Sequence, residues 1–499
     1  MSAQTISISG KKISIPTGLF INNEFVESLS KKTFGVENPA TGEEVLTIQE
    51  GQPEDVDVAV KVATKAFNSP AWKDIAADER GRLLNRLADI MEQNKEELIA
   101  IEMLDTGKTY KQAAGLDFPG SVGCLRYFAG WAGKIVGQTS TNIPGTFSYT
   151  RREPIGVCGQ IIPWNFPLLM FVWKIAPALV TGNTIVIKSS ETTPLSALKM
   201  CEYIIEAGLP AGTVNLISGF GKTVGAAIAN HMGIGKVAFT GSTATGRTIM
   251  KAAASSNLKK VTLELGGKGP NVVFPDADIK KAVEWSVFGL DMNMGQTCHA
   301  GTRIYVHEDI YDDFITAFTE RFKSIRVGDN FDNTTDQGPQ NSKMQYDRIM
   351  NYIQSGKEEG ATLHLGGHSV GKKGYFIEPT IFTDVKPTMK IVQEEIFGPV
   401  VVIAKFKTEE DVIELANDSS YGLAAGIFTN DYERAMRVTA ALQAGTLWVN
   451  FYNVLHWSLP FGGYKESGIG RECGEAALEN YTEVKTVMFN MGMPLPDIV

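Results

Sequence analysis

One stretch of the 499-residue chain, Gly295-Gln296-Thr297-Cys298-His299-Ala300-Gly301-Thr302-Arg303, sets a cysteine among small residues with glycine on both sides. Gly and Ala keep bulk away, so a thiol there is open to close approach. As a thiolate it could add to an electrophilic carbon. A lone cysteine is more often a small buried hydrophobe than a nucleophile, so the rest of the chain must decide. The apolar run 304–306 reads as a strand, which places Cys298 on a turn at a strand's start. A second chemical group is Glu264, a carboxylate at the end of an otherwise apolar strand, just before Gly266-Gly267. The alternative, a solvated loop glutamate, fits that apolar setting poorly.

These groups need a scaffold, and the chain supplies an alternating one. Strand patterns at 156–162, 184–187, 214–217, 236–240 and 260–265 alternate with helical patterns at 168–179, 194–206, 224–231 and 245–255. Such alternation predicts a Rossmann-like, doubly wound α/β sheet, whose ligands sit beyond the carboxyl ends of the strands. Trp164-Asn165, Lys188-Ser189-Ser190-Glu191, Gly219-Phe220-Gly221, Gly241-Ser242 and Gly266-Gly267 all follow strands in this way. Strand patterns at 271–274, 303–306, 400–406, 424–429 and 445–450, with helices between, predict a second α/β domain. Upstream, 19–26 reads as a hairpin turning at Asn22-Asn23, and 53–69, 77–105 and 118–135 read as helices. Residues 137–153 are Thr-rich and extended, and the alternating stretch 481–489 predicts a terminal strand that pairs with this arm or with another subunit.

Composition narrows the function. The chain is 43% hydrophobic and 21% charged, with formal net charge −9. No basic field is available for nucleic acid or an anionic membrane. Five widely spaced cysteines suggest a reducing compartment rather than a disulfide framework. Six histidines without HExxH spacing give no reason to expect a metal. The N-terminus lacks a signal peptide's apolar core, and the apolar run near 166–180 is interrupted by Lys174 and Pro177. The expectation is a soluble, cytoplasmic protein.

Six motifs in order, Pro163-Trp164-Asn165-Phe166-Pro167, Phe239-Thr240-Gly241-Ser242-Thr243, Leu263-Glu264-Leu265-Gly266-Gly267-Lys268, Gly295-Gln296-Thr297-Cys298, Glu394-Glu395-Ile396-Phe397-Gly398-Pro399 and Pro460-Phe461-Gly462-Gly463, resemble the NAD(P)-dependent aldehyde dehydrogenase superfamily. The resemblance covers nearly the whole chain and is closest to the tetrameric class 1 and class 2 enzymes. It implies that Cys298 is the nucleophile, that Asn165 and the Cys298 backbone N–H hold the oxyanion, and that Glu264 activates the water that hydrolyses a thioester. It implies NAD, with NADP less favoured. Lys188 and Glu191 would contact the adenosine ribose, Ser242 and Trp164 the pyrophosphate, Glu395 the nicotinamide ribose, with Phe397 beside the ring. Ile161, Pro163, Gly221, Gly225, Phe239, Gly241, Leu265, Gln345 and Arg348 complete the implied cofactor set. The glycines at 219, 221 and 225 do not form GxGxxG, and a plain glycine turn explains them equally well.

The implied substrate tunnel comprises Gly120, Phe166, Met170, Trp173, Phe288, Met292, Thr297, His299, Leu455 and Phe461. The implied domains are a cofactor domain (1–131 and 153–265), a catalytic domain (266–466) and an oligomerisation element (132–152 and 467–499) that builds a homotetramer. The chain departs from the family at Ser189, Gly269, Asp291 and His299, and carries Met292 and Leu455 where class 2 enzymes often have Phe. His299 and His456 either face the tunnel or merely satisfy local hydrogen bonds. An acylating enzyme is disfavoured by Glu264, and a retired family member by the intact Cys298, Asn165 and Glu264. A Cys298–His299 hydrolase is disfavoured because adjacent residues of an extended segment point apart.

Overall fold

The computed structural model describes residues 3–8 and 10–496. Its largest sheet has the order Gly468–Ile469, Lys260–Glu264, Lys236–Thr240, Val157–Ile161, Thr184–Lys188, Val214–Leu216, Leu19–Ile21, Glu24–Val26. The five central strands are parallel and the two edges antiparallel. The parallel strands are apolar and, Thr240 and the outer end of Lys260–Glu264 apart, buried throughout, as a sheet covered on both faces requires. Their sequence order reverses between Val157–Ile161 and Lys236–Thr240, the switch point where such sheets open a crevice.

Helix Pro167–Val180 leaves that first strand and is buried along its entire length. A helix apolar on every side belongs inside, yet this one carries Lys174, fully enclosed. A second sheet runs Thr362–Leu365, Thr380–Thr383, Val400–Phe406, Arg303–His307, Pro270–Val273, Ala424–Phe428, Thr446–Val449, parallel except for its first strand. Only Leu265 to Gly269 separate the last parallel strand of one sheet from Pro270–Val273 of the other. A third sheet pairs Thr482–Asn490 antiparallel with Thr146–Pro154, in register from Thr482↔Pro154 to Asn490↔Thr146. The terminal strand thus does pair with the Thr-rich arm.

The predicted hairpin at 19–26 forms, with Asn22 and Asn23 both at φ 58°, the turn that suits hairpin twist. Differences lie elsewhere. The helix expected over 77–105 breaks at Asn94 into Ala77–Gln93 and Lys95–Thr106. The helix expected to 135 ends at Ala129. Hairpins Ala3–Ile8 with Lys11–Pro16 and Thr33–Asn38 with Glu43–Gln49 were not foreseen. Residues 468 and 469, grouped by sequence with the C-terminal arm, pair instead with Glu264 and Leu263 in the first sheet. Among the described residues no helix is long and apolar enough to cross a membrane.

The loop bearing Cys298 is entered through three consecutive left-handed residues, Asn293 (φ 55°), Met294 (φ 56°) and Gly295 (φ 72°). A Cβ on Gly295 would lie 2.2 Å from the carbonyl of Gly398. Gly295→Ala is therefore expected to cost about 1–2 kcal/mol from backbone conformation alone and to displace the loop besides. A lowered thermal midpoint together with slower Cys298 alkylation would show it, whereas an unchanged pair would mean the loop has slack.

Candidate active site

Cys298 and His299 form a turn between the left-handed bend and strand Arg303–His307. Several contacts hold this turn. Asn165 Nδ2 donates to the Gln296 carbonyl at 2.9 Å, and Asn293 Nδ2 donates to the Asn165 carbonyl at 2.8 Å. The Asn341 backbone N–H donates to Gln296 Oε1 at 2.9 Å. Tyr452 donates its hydroxyl proton to the His299 carbonyl at 3.1 Å. A Cβ on Gly267 would come within 2.3 Å of the Cys298 carbonyl oxygen. Anchoring uses one N–H of the Asn165 amide, and the other remains for a ligand.

Cys298, Asn165 and Glu264 all line one cavity of about 1290 Å³. It runs from the carboxyl ends of the first sheet's strands to an apolar channel under helices Phe118–Ala129 and Pro167–Val180. Burial pushes the Cys298 thiol well above its usual range, and the carboxyls of Glu395 and Glu264 add to this. The backbone N–H groups of Cys298 and His299 oppose it. Glu264 is likewise held well above the carboxylate range, first by burial and then by Glu472, against Lys174 and Arg471. One Glu264 oxygen, Oε2, has no hydrogen-bond partner.

Glu472, which also lines the cavity, forms a fully buried ion pair with Lys174. Sequence reasoning did not single out Glu472. The signal was Lys174 itself, a cation in a helix with no solvent face, which demands a buried anion. Breaking such a pair typically costs about 3–5 kcal/mol, because the remaining charge is stranded.

At the cofactor end, Ile161, Pro163, Trp164, Lys188, Glu191, Gly221, Gly225, Phe239, Gly241, Ser242, Leu265, Gln345, Arg348, Glu395 and Phe397 all line the same cavity. Lys188 Nζ donates to Glu191 Oε2 at 2.9 Å and to the Ser189 carbonyl at 2.8 Å. Ser242 caps helix Thr243–Ser255, whose N-terminus opens on the cavity. Gly221 and Gly225 bound a helical turn with nothing that a Cβ would strike closely. Glu395 Oε1 accepts from the Gly267 N–H at 2.9 Å, and burial raises its carboxyl to about 7. Gln345 and Arg348 tie down the same segment, donating to the carbonyls of Phe397 at 2.6 Å and Glu395 at 2.9 Å. Phe397 sits edge-on to Trp164, 5.3 Å between centroids.

The channel walls include Gly120, Phe166, Met170, Trp173, Met292, His299, Leu455 and Phe461. Two expected wall residues lie outside it. Phe288 is 43% exposed and packs edge-on against Trp285. Thr297 is buried behind the loop, its hydroxyl donating to the Met292 carbonyl at 3.1 Å. Trp457 is an unforeseen wall residue, seated where Gly123 leaves room: a Cβ there would meet its ring at 2.6 Å. His456 stacks on Trp457 at the channel's exposed end and is hydrogen-bonded to Ser458, with 2.6 Å between Nδ1 and Oγ. Cys298 and His299 do not point apart as an extended segment would require, because the segment turns: Sγ lies 3.5 Å from His299 Nδ1. Asp291 is half-buried off the cavity, with a buried, unpartnered Oδ1 and its carboxyl raised to about 7 by desolvation. Among the described residues no group of three or more His, Cys, Asp or Glu is placed to hold a metal.

Residues 25–487, which include the thiol, the amide donor and the buried carboxyl of this cavity, match the aldehyde dehydrogenase family model. The chain belongs to the aldehyde dehydrogenase family. An aldehyde dehydrogenase of Alternaria alternata is 58% identical over 477 residues, covering 96% of each chain. Retinal dehydrogenase 2 of Gallus gallus is 55% identical over 472 residues, 94% of this chain and 91% of that one. The NAD+ complex of a Bacillus cereus aldehyde dehydrogenase superposes with a TM-score of 0.94 at 50% identity, covering 95% of this chain and 96% of its own. As an aldehyde dehydrogenase, the protein is an oxidoreductase acting on aldehydes with a nicotinamide dinucleotide.

The buried Glu264 carboxyl has a consequence for stability. Its folded-state pKa lies above the reference value of 4.5. It therefore contributes stability below that reference, and this is lost as pH rises toward the folded pKa. Glu264→Gln removes the titration. Its thermal midpoint relative to the parent is expected to improve steadily from pH 5 to pH 8. A difference independent of pH would contradict burial of an unpaired carboxyl.

Proposed function

We propose that the protein oxidises aldehydes to carboxylic acids with NAD through a covalent intermediate on Cys298. The observation that carries this is the convergence of Cys298, Asn165 and Glu264 on the one cavity that also opens on Lys188, Glu191 and Ser242. The Cys298 thiolate adds to the carbonyl carbon, giving a thiohemiacetal. The free N–H of Asn165 and the Cys298 backbone N–H face the oxygen that gains charge. NAD, when bound, supplies the hydride acceptor. Cys298 then carries the acyl group as a thioester. Glu264, ionised in that state, takes a proton from the water that attacks it, which frees the acid and restores the thiol.

The cofactor site supports the dinucleotide on its own terms. A 13-residue helix presents its capped N-terminus, suited to a phosphate. Thr240 offers a buried hydroxyl without a partner. Glu191 supports NAD over NADP. A 2′-phosphate charge near 4 Å from it would be repelled by about 4 kcal/mol at an effective dielectric of about 20. Lys188, already paired to Glu191, offsets part of this, and tenfold discrimination needs only about 1.4 kcal/mol. The five cysteines, all free, support a reducing, cytoplasmic setting. Exposed Phe147, Val484, Met488 and Phe489 on the third sheet support association with further copies, as a homotetramer.

Three outcomes test this reading. Cys298→Ala is expected to abolish NADH formation from a small aldehyde while leaving NAD affinity within about threefold, since a difference below about 0.7 kcal/mol is all that cofactor contact should lose. Retained turnover would refute the nucleophile. The parent should show at least tenfold higher kcat/KM with NAD than with NADP, and equal values would remove Glu191 from the argument. A series from acetaldehyde to decanal, with benzaldehyde, should show medium-length and aromatic aldehydes accepted at least as well as acetaldehyde. Flexible Met292 and small Gly120 leave an adaptable channel. A monotonic decline beyond acetaldehyde would contradict that.

A further inference from the structure

We infer that His299 is the side-chain hydrogen-bond donor that holds Cys298 in its reactive, ionised form. This rests on the proposed nucleophilic role of Cys298. The two residues share a turn, and His299 Nδ1 lies 3.5 Å from Sγ. The ring is 4% exposed. It sits edge-on to Phe461 at 5.3 Å and beside Trp448 at 6.1 Å, and the backbone behind it receives the Tyr452 hydroxyl at 3.1 Å. Its orientation is therefore fixed by packing on three sides.

The tautomer follows from the partners. A neutral imidazole has one N–H and one lone pair. Nε2 has no partner in the protein, and the polar neighbour of Nδ1 is Sγ. A thiolate only accepts hydrogen bonds. With the proton on Nε2, a lone pair would face the sulfur's negative charge and a buried N–H would go unmet. With the proton on Nδ1, the ring's single donor meets the single anion.

This is not the imidazolium–thiolate pair of a cysteine hydrolase. Burial lowers the His299 imidazole to about 3, so it stays neutral when the thiol ionises and the proton leaves to solvent through the cavity. The groups facing Cys298 explain why a neutral donor is needed. Glu395, Glu264 and Tyr452, on three other segments, interact electrostatically with the thiol, and none is a cation. The thiolate is supported by two backbone N–H groups, of Cys298 and His299. The His299 side chain adds a third donor at the same atom.

The experiment is alkylation of the full-length enzyme by iodoacetamide between pH 7 and 9, without cofactor or aldehyde. The Cys298 adduct is followed by mass spectrometry in the parent, His299→Leu, His299→Asn and His299→Gln. Below the thiol's midpoint the rate tracks the thiolate fraction, so a lost donor appears as a constant rate ratio across this range. An Asn amide reaches the position of Nδ1, and a Gln amide that of Nε2. Leu and Gln are expected to slow alkylation about tenfold, the scale of one hydrogen bond to a charged group. Asn is expected to stay within about threefold of the parent by the same scale. Asn and Gln are both polar and similar in bulk, so their contrast stands even if the Leu variant folds poorly. Parent rates in all three variants, or an Asn variant as slow as Gln, would overturn the inference. Parent turnover of a small aldehyde, measured alongside, reports separately on the dehydrogenase reading, because alkylation requires neither substrate.

Discussion

The contact on which the site depends is the approach of the Cys298 carbonyl to Gly267, closer than any Cβ would allow. It brings the thiol loop of the second sheet against the strand end that carries Glu264 in the first. Only Gly-Gly can sit between them. Gly266 packs as tightly against the Glu395 carboxylate, and Gly267 donates its N–H to that same group. One short, side-chain-free segment therefore sets the spacing of nucleophile, carboxyl and cofactor-side acceptor at once.

That closeness has an electrostatic cost and a chemical use. Cys298, Glu264 and Glu395 are all desolvated, and the two carboxyls further raise the thiol. Burial favours the protonated form of each, which limits the charge stranded in a low-dielectric site. The compensating cations sit one layer back: Lys174 against Glu472, Lys268 and Arg348 near Glu395. Ionisation of any one catalytic group then depends on small, directed contributions from backbone and side-chain donors. A dewatered cavity amplifies such contributions.

Much of this was legible in the chain, for stated reasons. Buried parallel strands are continuous apolar runs, so 236–240 and 400–406 were read to the residue. The Cys298, Glu264 and Asn165 motifs lie where strands end, and the topology brings those ends together. Less legible were features decided by tertiary contact. The hairpins at Ala3–Ile8 and Thr33–Asn38 have largely exposed, polar faces with little apolar pattern. Phe288 and Thr297 were misplaced because tertiary packing sets their directions: Phe288 faces outward on its helix against Trp285, and Thr297 turns inward to the Met292 carbonyl. Glu472 meets Lys174 across 298 positions of sequence, a pairing that only the fold reveals.

The central claim is that Cys298 carries the acyl group and that the Glu264 carboxyl releases it. The most direct measurement is intact and peptide mass spectrometry of Glu264→Gln mixed with NAD and a medium-length aldehyde and quenched within a few turnovers of the parent. The account predicts an acyl mass on the peptide containing Cys298, accompanied by a burst of NADH and slow turnover thereafter. Steady NADH release at the parent rate with no mass on Cys298 would contradict it.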